Sequence, residues 1–261
     1  MKHHVDCYDV PEYWDLAFDE DTSLEADFLI AAANKYGVSK LHRLFEPGCG
    51  GGRLLRELAG RGFQVCGVDQ SSTAVEFAKS RLGSTASADQ IVVGDMRTWR
   101  PDEPVDLAYC LVNTFRHLLT EDDAVQHLQT VSASLIEGGL YILGLHLLPP
   151  DADEEDDEEW SVTKDGTTVN MRLDVTECSR ILRQETLSFR MEVIPAGRAK
   201  PLTFTSEYPM RIYEADQLLS LLRKVPAFRL RDVYDFWYDI EEPLTLSDEM
   251  GDTVLVLQKG G

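Results

Sequence analysis

Three acids in the first hundred residues each close a short apolar run. Leu41, Leu44 and Phe45 lead to Glu46, Val65-Cys66-Gly67-Val68 leads to Asp69, and Ile91-Val92-Val93-Gly94 leads to Asp95. Glycines at 48, 50 and 52 follow the first acid, and Arg53-Leu54-Leu55-Arg56-Glu57-Leu58 then has helical spacing. Glycines admit positive φ and close approach of a ligand to the backbone, and a helix N-terminus offers unpaired N–H groups. Asp69 lies 17 residues beyond Gly52. At the end of a second parallel strand its carboxylate is placed to accept both ribose hydroxyl protons of a bound nucleoside, with Gln70 reaching the same ribose or a base edge. Two histidines further on, His117 and His146, could take up a proton.

These residues need strands that end on one rim. Strand, tight turn and helix is the reading of residues 41–58, and the pattern of apolar run then acid recurs twice. Successive parallel strands would bring Glu46, Asp69 and Asp95 to a common edge, where a cationic nucleoside can lie across them. A dinucleotide fingerprint built on Gly48 and Gly50 would require glycine where Arg53 stands, and no Gly-Lys-Ser/Thr follows to make a phosphate loop.

The order Glu46-x-Gly48-x-Gly50-x-Gly52 resembles the first motif of the class I S-adenosylmethionine-dependent methyltransferases. The resemblance covers residues 41–147 by motif and the remainder by order of elements. It implies S-adenosyl-L-methionine as cofactor, S-adenosyl-L-homocysteine as product, and a turn packed against the methionyl part, with Glu46 suiting the positive charge. It also implies that Asp95 bonds the adenine amino group while the backbone of Met96 meets the ring. Cys49 and Arg53 in the turn and Leu111 at the end of the fourth strand join the cofactor residues. Asn113-Thr114-Phe115-x-His117-Leu118 is similar to a stretch of glycine N-methyltransferase-like enzymes. That similarity makes Asn113 the first acceptor-side candidate, with His117 and His146 as base or orienting groups. Aromatic N-terminal segments cover the pocket in small-molecule members, so Tyr8, Tyr13 or Trp14 would do so here, or would simply pack on the domain.

The expected fold is α/β, a doubly wound, Rossmann-like, seven-stranded and mostly parallel sheet whose last strand is antiparallel, with an inserted antiparallel sheet. Residues 1–40 read as an arm and a helix forming a cofactor lid. Residues 41–150 and 212–261 read as the core, and 151–211 as an acidic loop and a three-stranded insertion covering substrate or forming an interface. The chain is similar to sugar-amine and glycine N-methyltransferases among the small-molecule members. Predicted elements include helices over 24–36, 72–81, 124–135 and 214–224 and strands over 140–147, 168–175, 181–193, 202–210, 228–236 and 253–258. Of the nine residues Asp151 to Glu159, eight are acidic. Self-repulsion would keep such a run as a solvated loop, or it would draw in a cationic acceptor. Arg172, Arg180, Arg190, Tyr208 and Arg211 in the insertion could instead meet an acidic group of the acceptor.

A formal net charge of −21 over 261 residues opposes binding to nucleic acid or anionic membrane. Taken with the charge, the resemblance implies a small-molecule acceptor, methylated at nitrogen or oxygen by in-line displacement. Five scattered cysteines without metal spacing, and no apolar stretch of signal-peptide or membrane-spanning length, predict a reduced cytoplasmic protein with no metal site. The inserted sheet could also pair two copies as a homodimer. The alternatives are an aminopropyl transferase or other enzyme on the same pocket, and a nucleoside-binding protein without catalysis.

Overall fold

The structure, a computed structural model, describes residues 6–19, 22–38, 40–83, 90–153, 157–197 and 200–260. A short 3-10 turn, Cys7–Asp9, leads into helix α1 (Pro11–Ala17), and helix α2 (Thr22–Lys35) follows. The core then alternates strand and helix: β1 (Arg43–Pro47), α3 (Arg53–Gly60), β2 (Gln64–Asp69), α4 (Ser72–Leu82), β3 (Ile91–Val93), β4 (Val105–Cys110), α5 (Glu121–Ser134) and β5 (Leu135–His146). Four antiparallel strands come next, β6 (Asp157–Lys164), β7 (Thr167–Ser179), β8 (Gln184–Ile194) and β9 (Leu202–Arg211). Helix α6 (Ala215–Arg223) and strands β10 (Phe228–Tyr234) and β11 (Asp252–Lys259) complete the order.

Seven strands form one sheet in the order β10-β11-β5-β4-β1-β2-β3, and β11 runs antiparallel between β5 and β10. Both faces are covered, so alternate residues enter different cores. Leu44 packs with Tyr109, Ile142 and Val256 beneath α2, α3 and α4, whereas its neighbour Phe45 packs with Cys66, Tyr141 and Leu257 beneath α5 and α6. Burial on both sides explains why these strands read as continuous apolar runs. The side chains of Ser71 and Thr120 cap α4 and α5 by accepting backbone N–H bonds three residues on, and the acids Glu121, Asp122 and Asp123 fill the first turn of α5. Among the described residues no helix is long and apolar enough to cross a membrane.

The doubly wound sheet is as expected, and the insertion differs in one strand. It holds four strands, because Asp157, Glu158 and Glu159 of the acidic run begin β6 rather than lying in a loop; residues 154–156 of that run lie outside the described residues. Cross-strand charge makes this possible. Glu159 sits opposite Arg172 on β7, whose guanidinium bonds Glu159 and also Asp174. Residues 181–183, predicted as strand, form the turn before β8; Arg183 has φ +54°, and Ile181 is 95% exposed. The strand predicted from 140 begins at Leu135, which pairs with Val105.

A third core lies between this second sheet and the N-terminal arm. Val169, Met171, Leu187, Phe189 and Met191 pack there with Cys7, Tyr13, Trp14 and Phe18. The arm is held by polar bonds as well: the Cys7 N–H donates to Ser206 Oγ at 2.7 Å, Trp160 Nε1 donates to the Ala17 carbonyl at 2.9 Å, and Tyr208 donates to Asp6.

Candidate functional site

The carboxyl ends of β1, β2 and β4 open into a cavity of about 800 Å³, roofed by the second sheet and the arm. Its floor is the turn after β1. Gly48, Gly50 and Gly52 all have positive φ, at 72°, 50° and 72°. Gly48 N and Cys49 N both donate to the Val68 carbonyl, at 2.7 and 3.1 Å, which ties the turn to β2. A Cβ on Gly48 would stand 2.3 Å from Thr114 Cγ2, one on Gly51 2.5 Å from Asp15 Oδ2, and one on Gly52 2.8 Å from Ala78 Cβ. Gly50 has open space at that place, with nothing within 4 Å, so the backbone there is a cradle facing the cavity.

Asp69 holds this cradle in shape. Its Oδ2 accepts from Gly50 N at 2.8 Å and its Oδ1 from Ser71 N at 2.9 Å. Burial raises its pKa, while the N–H groups of Ser71, Gly50 and Gln70 oppose that rise. Glu46 is deeper. Tyr109 Oη donates to its Oε2 at 3.1 Å, and burial pushes its carboxyl well above the usual carboxylate range despite the nearby Arg53 and the Tyr109 bond. Arg53, at the start of α3, pairs with Glu25 at 2.6 Å and donates to Thr22 Oγ1 at 2.6 Å, which fastens α2 to the glycine turn. Burial and the neighbouring Glu46 push the Cys49 thiol well above its ordinary pKa, so it stays a thiol and is no nucleophile.

Of the predicted cofactor residues, Glu46, Gly48, Cys49, Gly50, Arg53, Asp69, Gln70, Met96 and Leu111 line one cavity, as do Asn113, His117 and His146. Gly52 lies just beneath as the left-handed residue before α3. Tyr13 and Asp95 are not among the lining residues. Tyr13 packs on Phe204 with ring centroids 6.1 Å apart, while Tyr8 and Trp14, its neighbours in the arm, line the cavity. The Asp95 carboxylate is gripped by Arg97, whose Nε donates to both oxygens at 3.0 and 2.9 Å, and this holds its pKa below the usual range. An arginine two residues beyond the acid was the sequence signal for that pairing.

On the acceptor side, Asn113 has φ +67°, and its Oδ1 accepts from the His146 N–H at 2.8 Å. Its side-chain oxygen therefore joins the end of β4 to the end of β5. His117 Nε2 lies 3.1 Å from Tyr8 Oη, and burial with the adjacent Arg116 lowers its pKa to about 4. Tyr8 in turn stacks on Tyr208, with centroids 4.5 Å apart and planes 27° from parallel. His146 Nδ1 is 2.6 Å from Asp252 Oδ1, a pairing that the sequence could not suggest because β11 comes more than 100 residues later.

Asp15 was missed in the sequence. It is 7% exposed, pairs with Arg81 of α4, and lies against Gly51; burial raises its pKa to about 6 against the pull of Arg81 and Arg53. Arg81 also donates to the Gly51 carbonyl at 3.2 Å, so the arm is latched to the glycine turn. Of the five insertion residues offered for an acidic acceptor group, Tyr208 alone lines the cavity. Arg172 pairs with Glu159 and Asp174, Arg180 donates to the Pro149 and Ala152 carbonyls, and Arg211 donates to the Leu119 carbonyl.

An open glycine cradle, a carboxylate at the cavity rim and a deep acid under an aromatic roof suit a nucleoside with a cationic side group. Comparison with known proteins gives the same reading. Residues 45–139 match the family described as "Methyltransferase domain". A glycine/sarcosine N-methyltransferase of Aphanothece halophytica is 29% identical over 139 residues, 51% of this chain and 50% of that protein. The chain spans about half or less of the length of the curated relatives it matches. An S-adenosylmethionine-dependent methyltransferase from Clostridium acetobutylicum has a TM-score of 0.75 at 17% identity, covering 92% of this chain and 93% of that one. An amino pentose methyltransferase from Micromonospora echinaspora, solved with S-adenosylmethionine bound, has a TM-score of 0.68 at 22% identity, with 92% and 90% covered. Residues 45–139 are thus similar to a methyltransferase domain, and the chain has the fold of these S-adenosylmethionine-dependent methyltransferases.

Proposed function

We propose that the chain is an S-adenosylmethionine-dependent methyltransferase that moves a methyl group to a nitrogen or oxygen of a small molecule by in-line displacement. The observation that carries this is the single cavity joining the glycine cradle and Asp69 to Asn113, His117 and His146. Bound S-adenosylmethionine supplies an electrophilic methyl group on a sulfonium. Asp69, Gln70, the Gly48–Gly51 backbone, Met96 and Leu111 would hold it, with Glu46 at its methionyl part, where an arriving positive charge would favour the ionised carboxylate that burial disfavours.

The protein's own contribution is positioning and exclusion of water, which together can lower a barrier by several kcal/mol. Tyr8, Trp14 and Tyr208 close the cavity from above. His117 is neutral at working pH and is tied to Tyr8, so it orients the acceptor and the arm. His146, held through Nδ1 by Asp252, is the better placed general base, a role that contributes roughly 10²–10⁴-fold in rate.

Enclosure of the cavity and the net charge of −21 support a small-molecule acceptor over a nucleic acid. Sugar N-methyltransferases among the structural neighbours support nitrogen as the target. Five free cysteines support a reducing, cytoplasmic setting. Exposed Ile181 and Leu182, in the turn that joins β7 to β8 of the second sheet, support pairing of two copies at that end of it, which light scattering of the purified protein would test.

The test is incubation with methyl-labelled S-adenosylmethionine and matched panels of amines and alcohols. Label appearing in an acceptor, with inhibition by S-adenosylhomocysteine, is the expected result. Cofactor binding without transfer to any acceptor would make this a nucleoside-binding protein. Transfer from the decarboxylated cofactor alone would make it an aminopropyl transferase.

A further inference from the structure

The acceptor half of the cavity carries a chemical preference of its own. Its wall from the second sheet is Leu173, Leu187, Phe189, Tyr208 and Met210, with Glu158 at the edge. The arm adds Tyr8, Trp14 and Phe18, and β6 adds Trp160. Among the described residues the cavity meets two cations, Arg53 and Arg97, and both are already paired. Arg53 is bound to Glu25 at 2.6 Å, and Arg97 to Asp95 and Asp123 at 2.6 Å each.

A carboxylate or phosphate placed against this wall would lose its hydration and gain no counter-ion, which is strongly unfavourable. An ammonium group meets the opposite conditions. The rings of Tyr8, Trp14 and Tyr208 line the cavity and can attract a cation, Tyr8 and Tyr208 through the faces not stacked on each other, and Glu158 supplies the opposite charge at the edge. The charge of the whole chain, −21, repels anions and draws cations toward the same opening.

We propose that the acceptor is an amine on an apolar, ring-containing body that bears no carboxylate or phosphate. This rests on the methyltransferase reading above and narrows it. The aliphatic and aromatic side chains of the roof take the body of the molecule, while Glu158 and the aromatic rings guide its ammonium group in. The ammonium gives its proton to His146, and the freed nitrogen lone pair forms the N–CH3 bond as the S–CH3 bond breaks, its electron pair staying on the sulfur of the leaving S-adenosylhomocysteine.

The experiment compares 2-phenylethylamine with phenylalanine, which differ by one carboxylate, and with sarcosine. Tryptophan fluorescence reports binding directly, because Trp14 and Trp160 both line the cavity. With S-adenosylhomocysteine present, 2-phenylethylamine should bind at least tenfold more tightly than phenylalanine or sarcosine, and with labelled S-adenosylmethionine it should be methylated in preference to both. Glu158→Lys, at an exposed edge position, should reduce that preference several-fold while leaving the affinity for S-adenosylhomocysteine unchanged. Intact S-adenosylhomocysteine binding with no preference, or with preference for either amino acid, overturns this proposal alone. Failure to bind S-adenosylhomocysteine removes the methyltransferase reading and this proposal with it.

Discussion

Asp69 has two duties, and its replacement should show both. Its carboxylate shapes the turn by accepting from Gly50 N and Ser71 N, and it lines the cavity where the proposed function places the ribose. Charge-assisted hydrogen bonds contribute about 1.5–3 kcal/mol each, so Asp69→Ala should weaken S-adenosylhomocysteine binding by at least about tenfold in calorimetry while the circular dichroism spectrum stays native. His117 provides a second expectation. With its pKa near 4, the imidazole stays neutral, and its ring-proton resonance should not move between pH 5.5 and 9. A shift through pH 6.5 would restore it as a titrating base. The glycines, Glu46 and Asp69 were legible because close backbone approach and hydroxyl recognition each demand a particular residue type. The final partner of Asn113 was not, since a carboxamide can bond either a ligand or its own chain. Which aromatic of the arm faces inward was equally hidden, because the seven-residue α1 is too short for its periodicity to choose between Tyr13 and Trp14.

At the scale of elements, α1 and the turn after β1 are one unit. Asp15, Arg81 and Gly51 join them, and a methyl group on Gly51 would press into the Asp15 carboxylate. Gly51→Ala should therefore loosen the arm, with cleavage after Phe18 or Trp14 by chymotrypsin accelerating several-fold. Gly50→Ala meets no neighbour and should leave the arm protected while crowding the cavity. Equal protection in both variants would separate the arm from the turn. Order and type of the core elements were readable from alternating runs of apolar strand and amphipathic helix. The extra strand β6 was not, because its acids become compatible with a sheet only once Arg172 lies opposite Glu159.

Across the molecule, burial of polar groups in both cores sets the response to pH. His127 is fully buried between the Met96 carbonyl, 3.0 Å from Nδ1, and Tyr141 Oη, 2.7 Å from Nε2, and burial lowers its pKa to about 4. The unfolded chain, titrating near 6.5, binds the extra proton first. Stability from this group is thus complete above pH 6.5 and is lost as pH falls through that value toward 4. Comparing urea unfolding of the wild type and His127→Gln, the wild-type advantage at pH 7 should shrink by ~2–3 kcal/mol at pH 4.5. A gap independent of pH would mean that His127 titrates in the fold as it does in the unfolded chain.

The fastening of the arm to Ser206, Trp160 and Arg81 also bears on tempo. On the proposed function, a spent nucleoside beneath Tyr8 and Trp14 would have to wait for several bonds to break together, and such openings occur on the slow side of enzyme motion. Rapid mixing should then catch a first equivalent of methylated product forming quickly and later equivalents trailing behind. Glycerol, by thickening the solvent, should slow the trailing phase and spare the first.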